Sequence, residues 1–73
     1  MWYLYIIQKK GRYYTGITTD LKNRIQQHGN PGVLYFETFK DNFKAAKREK
    51  EIKGWARRKK KELIAKFSSV SLP

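Results

Sequence analysis

Trp2 to Ile7 is apolar at every position and mixes aromatic with β-branched side chains. So short an unbroken run suits a central strand covered on both faces. Lys10-Gly11 then supplies a two-residue hairpin loop, and Arg12 to Thr18 is expected to return as a second strand. With residues 10 and 11 as the loop, position 9 pairs with 12, Ile7 lies opposite Tyr14, and Tyr5 lies opposite Gly16. Directly opposed residues share a face. Tyr5 and Tyr14 become diagonal neighbours on one face, about 7–8 Å apart at the backbone. Gly16 is expected to leave an open floor over Tyr5. A one-residue change in the loop would send the two tyrosines to opposite faces.

Thr19 or Asp20 can cap a helix whose inner face carries Leu21, Ile25 and His28, at i, i+4 and i+7. Arg24 borders that face, four residues before His28. Gly29-Asn30-Pro31-Gly32 ends the helix. Val33 to Phe39 reads as a third strand with aromatic residues on both faces. Asp41 or Asn42 caps a second helix running to about Lys53, with Gly54 as C-cap. On its wheel Ala45, Glu49 and Ile52 cluster, with Ala46 and Lys53 at the edge. Glu49 thus falls in the middle of the face expected to point inward. The basic run Arg57 to Lys61 starts a third helix, whose apolar side is Ala56, Leu63, Ile64 and Phe67. The predicted order is β-β-α-β-α-α in one α+β domain over 1–67. Residues 68–73 are expected to be a frayed, disordered tail.

Seventy-three residues bury only about 60% of their unfolded surface, so the stability of such a chain is modest. There is no cysteine, which excludes a disulfide framework and a thiolate metal site. A single histidine argues against structural zinc. No apolar run approaches the ~20 residues that span a membrane. Trp2 to Ile7 is shorter than the roughly 7–15 residues of a signal-peptide core and lacks the preceding basic residues, so a cytoplasmic location is expected. Seventeen Lys and Arg against six Asp and Glu give a net charge of +11, which favours a polyanion as partner. A ribosome-associated or merely soluble basic domain would carry the same balance.

Tyr3-Leu4-Tyr5, followed by Tyr14-Thr15-Gly16 and then by Arg24 and His28, resembles the GIY-YIG nuclease superfamily. So does Ala45-x-x-x-Glu49-x-x-Ile52-Lys53-Gly54-Trp55. The likeness is closest to the small bacterial single-domain members and covers nearly the whole chain. It implies a three-stranded antiparallel sheet flanked by helices. It also implies hydrolysis of a DNA phosphodiester with one divalent ion, Mg²⁺ or Mn²⁺, and without a small-molecule cofactor or a membrane. By position Glu49 matches the metal ligand and Arg24 the phosphate contact. Tyr5, Tyr14 and His28 would align or activate the attacking water and support the leaving group. Lys9, Lys10, Arg12, Lys53, Arg57, Arg58, Lys59, Lys60 and Lys61 are the candidate DNA contacts. Repair or recombination would be the setting. One departure stands out: relatives carry a longer basic, Gly-rich loop between the first helix and third strand, where this chain has Gly29 to Gly32 alone.

Phosphodiester cleavage needs a nucleophile, charge neutralisation on the phosphoryl oxygens and a stabilised leaving group. A divalent cation does two of these jobs, and Mg²⁺ often takes only one or two protein carboxylates. Arginine grips phosphate bidentately. Tyrosine, with a pKa near 10, is a poor base at neutral pH without a nearby cation. Each residue also has a plainer explanation. Tyr5 and Tyr14 suit any aromatic strand. A histidine on a half-buried helix face is more often a satisfied core residue. Arg24 would be one more solvated charge, and Glu49 could pair with Lys53 at i,i+4 for about 0.2–0.5 kcal/mol. The ordered coincidence of all five favours an endonuclease. The alternative is a non-catalytic basic nucleic-acid-binding module derived from a nuclease. A weaker third option is a domain whose basic face meets an acidic protein.

Overall fold

A computed structural model describes residues 1–71 of the chain. The elements run β1 (Trp2–Lys9), β2 (Arg12–Thr18), α1 (Leu21–Gln27), β3 (Val33–Phe39), α2 (Asn42–Lys53) and α3 (Arg57–Ser71). The three strands form one antiparallel sheet in the order β2-β1-β3. The all-apolar strand is therefore the central one: Leu4, Ile6 and Ile7 are fully buried and Tyr5 is 3% exposed.

Lys10 and Gly11 adopt φ of 52° and 78°, the left-handed pair that a type I′ turn requires. This turn sets Lys9 opposite Arg12, and hence Ile7 opposite Tyr14 and Tyr5 opposite Gly16, the register expected from the sequence. β1 extends two residues beyond Ile7, because Gln8 and Lys9 complete the hairpin ladder. On the other side β1 pairs with β3, with an irregularity between Ile6 and Ile7 that accommodates Leu34.

The pleat divides the sheet into two faces. Leu4, Ile6 and Tyr35 lie on one, with Ile52 of α2 packed against them and Leu63, Ile64 and Phe67 of α3 adding to the cluster. Loss of a fully buried residue such as Ile52 to alanine costs about 2–5 kcal/mol. Arg48 ties α2 to this face. Its guanidinium donates to both carboxylate oxygens of Glu37, 3.1–3.2 Å away, and to Glu51 at 2.7 Å. The Tyr35 hydroxyl donates to the same Glu37 carboxylate. Tyr3, Tyr5, Ile7, Tyr14 and Gly16 share the opposite face, and α1 lies over it.

Asp20 and Asp41 cap α1 and α2, their side chains accepting from Asn23 N and Lys44 N. α3 runs further than its expected end at residue 67: its backbone is helical through Ser71, since neither Gly nor Pro interrupts that stretch. The part of the expected tail formed by Leu72 and Pro73 lies outside the described residues. Among the described residues no helix is long and apolar enough to cross a membrane.

Candidate active site

The phenol of Tyr5 is the point on which the site is built. Its strand leaves the side chain on the α1 face, and Gly16 directly opposite has no side chain to displace it. The expected open floor over Tyr5 is not what results. Tyr5 itself lies across Gly16, so a β-carbon added there would sit 2.5 Å from its Oη and 2.7 Å from Cζ. The ring occupies the space that the glycine vacates.

His28 meets it from α1. Oη of Tyr5 lies 3.2 Å from Nε2 of His28, with the rings edge to face at 6.1 Å between centroids. The phenol donates when Nε2 is unprotonated, and an Nε2–H donates to the phenol oxygen otherwise. His28 is held by the way α1 stops. Gly29 takes φ of 87°, Asn30 N–H reaches back to Ile25 O at 3.0 Å, and Gly29 N–H to Gln26 O at 3.0 Å. That is a Schellman closure, with His28 as the C-cap and glycine at the left-handed position after it. Gly29-Asn30-Pro31-Gly32 thus both stops the helix and fixes the histidine.

Arg24, one turn earlier, is solvent-exposed yet close enough to Tyr5 to draw its titration down through charge and hydrogen bonding. Lys53 acts in the same direction and Glu49 in the opposite one. Burial is the largest influence and prevails, so the Tyr5 pKa is raised above its ordinary value of 10. The phenol is neutral at physiological pH. The structure thus brings His28 into contact with the Tyr5 oxygen, with Arg24, Glu49 and Lys53 close enough to act on its charge. Tyr14 shares the sheet face through the hairpin register but is 43% exposed, at the open side of the group.

Glu49 differs from the expected unpartnered inward carboxylate. Its side chain is 22% exposed, and its Oε2 lies 3.2 Å from the Lys53 ammonium. Ala45 and Ile52 take the buried positions of that helix face, which leaves Glu49 at its margin. The i,i+4 spacing from Glu to Lys makes this pair available locally. Among the described residues no three His, Asp or Glu side chains cluster as a metal cage. The neighbouring carboxylates are committed elsewhere: Asp20 and Asp41 as caps, Glu37 and Glu51 to Arg48. Glu49, half-buried and bound neither as a cap nor to Arg48, offers the hard oxygen donor that a largely hydrated divalent ion takes, and it is the residue that would hold one.

The basic residues separate into two groups. Arg57 donates to Gly11 O at 2.8 Å and stacks over Tyr13 at 4.9 Å, so the hairpin tip bearing Lys9, Lys10 and Arg12 is pinned to the start of α3. Lys59 stacks on Trp55 at 4.4 Å, and Arg48 also lies over that ring, at 5.2 Å. Arg58 and Lys61 are exposed and Lys60 is half-buried. α3 begins after Ala56, which has no capping side chain, and its first turn holds no acid. Five cations at the positive end of a helix dipole oppose the helix; Arg57 and Lys59 offset this with contacts inside the fold. Sequence reasoning had Arg57 as a DNA contact and missed its clamp on the hairpin, which no local pattern signals across 46 residues. It also missed a groove of about 860 Å³ between α1 and β3. Tyr3, Leu21, Ile25, Val33 and Phe36 line that groove, and none of the five candidate catalytic residues does.

Comparison with known proteins identifies the family and the fold. The family model of the GIY-YIG catalytic domain matches residues 1–32, the segment that carries Tyr5, Tyr14, Arg24 and His28. UPF0213 protein DP2720 of Desulfotalea psychrophila is 32% identical over 99% of this chain and 82% of its own. That match extends over 90 aligned positions, more than the 73 residues here, so the relative holds internal sequence that this chain lacks. UPF0213 protein SSP2268 of Staphylococcus saprophyticus is 37% identical over 86% of this chain and 93% of its own. The solution NMR structure of UPF0213 protein BH0048 from Bacillus halodurans superposes with a TM-score of 0.64 at 32% identity, covering 89% of this chain and 84% of that one. With the motif residues, the fold and these relatives in agreement, the chain belongs to the UPF0213 group of GIY-YIG domain proteins.

Proposed function

We propose that this chain is a divalent-metal-dependent endonuclease that hydrolyses DNA phosphodiester bonds. The supporting observation is the contact of the buried Tyr5 phenol with His28 at 3.2 Å, with Arg24 and Glu49 close enough to act on the charge of the same phenol. As structural residues they would have no reason to meet there. Three come from separate elements, and a half-buried carboxylate and an arginine near a tyrosine hydroxyl add nothing to the apolar core.

In this proposal Arg24 holds the non-bridging oxygens of the scissile phosphate and neutralises the charge that grows on them, a task its planar fork suits. A divalent ion on Glu49 supplies Lewis-acid polarisation of the phosphoryl group and support for the leaving oxygen. Tyr5 orients the attacking water. Its raised pKa makes it a poor unaided base, and the ring nitrogen of His28 at 3.2 Å offers the proton relay. Tyr14, at the open side, contacts the incoming strand. Lys9, Lys10, Arg12 and the Arg57–Lys61 surface hold flanking phosphates in place of the shortened loop. DNA repair or recombination is the process such an enzyme would serve.

One observation favours the non-catalytic binder: Lys53 already neutralises Glu49. Incubating the protein with single-stranded, duplex and branched DNA in Mg²⁺, Mn²⁺ or EDTA tests both readings. Metal-dependent cleavage supports the enzyme. Salt-sensitive binding without cleavage of any form supports the binding module, because counterion release makes phosphate contacts weaken as salt rises.

A further inference from the structure

We propose that Lys53 is the built-in counter-ion of Glu49, exchanged for the divalent ion on loading, and that its freed ammonium then takes a phosphate oxygen of the DNA. This rests on the metal-dependent reading above and assigns that site a coupling between metal and substrate.

The geometry suggests the exchange. Nζ of Lys53 lies 3.2 Å from Oε2 of Glu49, where a cation on that carboxylate belongs. The two side chains differ in their freedom. Glu49 is 22% exposed and Lys53 57% exposed, so the carboxylate is held while the ammonium sits at its solvent side on a flexible stem. The pair is a single i,i+4 contact, and among the described residues Lys53 makes no second ion pair. Such pairs are weak, which leaves the ammonium easily displaced. Lys53 is also close enough to Tyr5 to act on its charge, so the released ammonium need not travel far to meet a phosphate at the same phenol. The arrangement contrasts with Arg48, whose guanidinium is locked between Glu37, Glu51 and the Trp55 ring and cannot be released without breaking the α2 packing.

Two consequences follow from charge balance. Without metal, Lys53 hides the acidic spot on an otherwise basic surface, so DNA approaches without repulsion from Glu49. With metal, the site gains the ion and also the lysine, so each ligand strengthens the other. Because coupling is reciprocal, DNA must tighten the ion by the factor by which the ion tightens DNA.

The test is Mn²⁺ binding to the full chain without DNA, read from the free-ion EPR signal, for wild type, Lys53→Met, Lys53→Arg and Glu49→Gln. Lys53→Met should bind Mn²⁺ roughly 1.4–2.3-fold more tightly than wild type, from loss of a competing i,i+4 pair. Lys53→Arg, which restores the cation, should return towards wild type, and Glu49→Gln should not bind. Fluorescence anisotropy with cleavage-resistant phosphorothioate DNA should show Mn²⁺ tightening DNA binding more for wild type than for Lys53→Met. Lys53 is exposed, and Lys53→Gln with circular dichroism guards against a misfolded methionine variant. If wild type and both neutral variants bind Mn²⁺ equally while Glu49→Gln does not, the exchange is refuted and the metal site stands. If Glu49→Gln binds as wild type does, or nothing binds, the metal assignment itself fails and the exchange with it.

Discussion

Gly16→Ala tests the position of Tyr5 with a single methyl group. The added β-carbon would lie 2.5 Å from Oη, 2.7 Å from Cζ and 3.1 Å from Cε1 of a tyrosine that is 3% exposed. The obstacle is the outer end of the Tyr5 ring, which is buried, so alanine fits only if that ring swings off the strand. Forcing it aside is an overpacking change of about 1–3 kcal/mol. Losing the contact to His28 adds about 0.5–1.5 kcal/mol. Removing glycine's freedom in the unfolded chain returns about 0.4–1 kcal/mol, and Gly16 has no positive φ to make alanine strained in itself. The net expectation is a loss of about 0.5–4 kcal/mol, at roughly 4–8 °C in Tm per kcal/mol for a chain of this size. Urea denaturation of Gly16→Ala, Tyr5→Ala and the double variant measures it as a thermodynamic cycle. With the ring gone, the cost of Gly16→Ala should vanish or reverse. Equal cost in both backgrounds, or none in the wild type, would refute the placement of Tyr5 over Gly16.

Arg24→Lys should reduce cleavage by about 10²–10³-fold, the usual cost of one donor aimed at developing charge, and alter DNA affinity far less; equal losses in nuclease and gel-shift assays would make Arg24 an ordinary phosphate contact. Tyr35 is pushed up to about 12 by burial and by its bond to Glu37. Below pH 10 folded and unfolded states both hold the proton. Between pH 10 and about 12 the unfolded chain gives it up first, so stability falls as pH rises, by up to roughly 2–3 kcal/mol. Urea midpoints measured across that range should fall more steeply for wild type than for Tyr35→Phe.

The central hairpin was legible because three local facts decide it. Trp2 to Ile7 is apolar throughout, Lys10-Gly11 fits a type I′ turn, and a two-residue loop leaves one register. That register put Tyr5, Gly16 and Tyr14 on one face before any coordinates. The helix wheel placed Leu21, Ile25 and His28 inward, and the Gly29-Asn30 stop explains why His28 is held. The wheel served Glu49 less well. A helical face has a centre and margins, and which residues are buried depends on where the sheet surface ends. Ala45 and Ile52 met the sheet, and Glu49 fell at the margin, where Lys53 could reach it. Periodicity also carries no information about space between elements. The occupied floor at Gly16, the clamp of Arg57 on Gly11 and the groove beside Phe36 depend on how side chains of distant segments fill or leave volume.

Cleavage by Glu49→Gln tests the account most directly. The substitution keeps the shape and removes the one carboxylate offered to a metal. It should cost only about 0.2–0.5 kcal/mol of stability, since what is lost in the fold is the pair with Lys53. DNA should bind at least as well, because a negative charge is gone and a lysine is free. In Mg²⁺ or Mn²⁺ the wild type should cut DNA, EDTA should stop it, and Glu49→Gln should bind without cutting. Cleavage by Glu49→Gln at the wild-type rate, or wild-type cleavage undiminished in EDTA, would contradict a metal-dependent nuclease centred on Glu49.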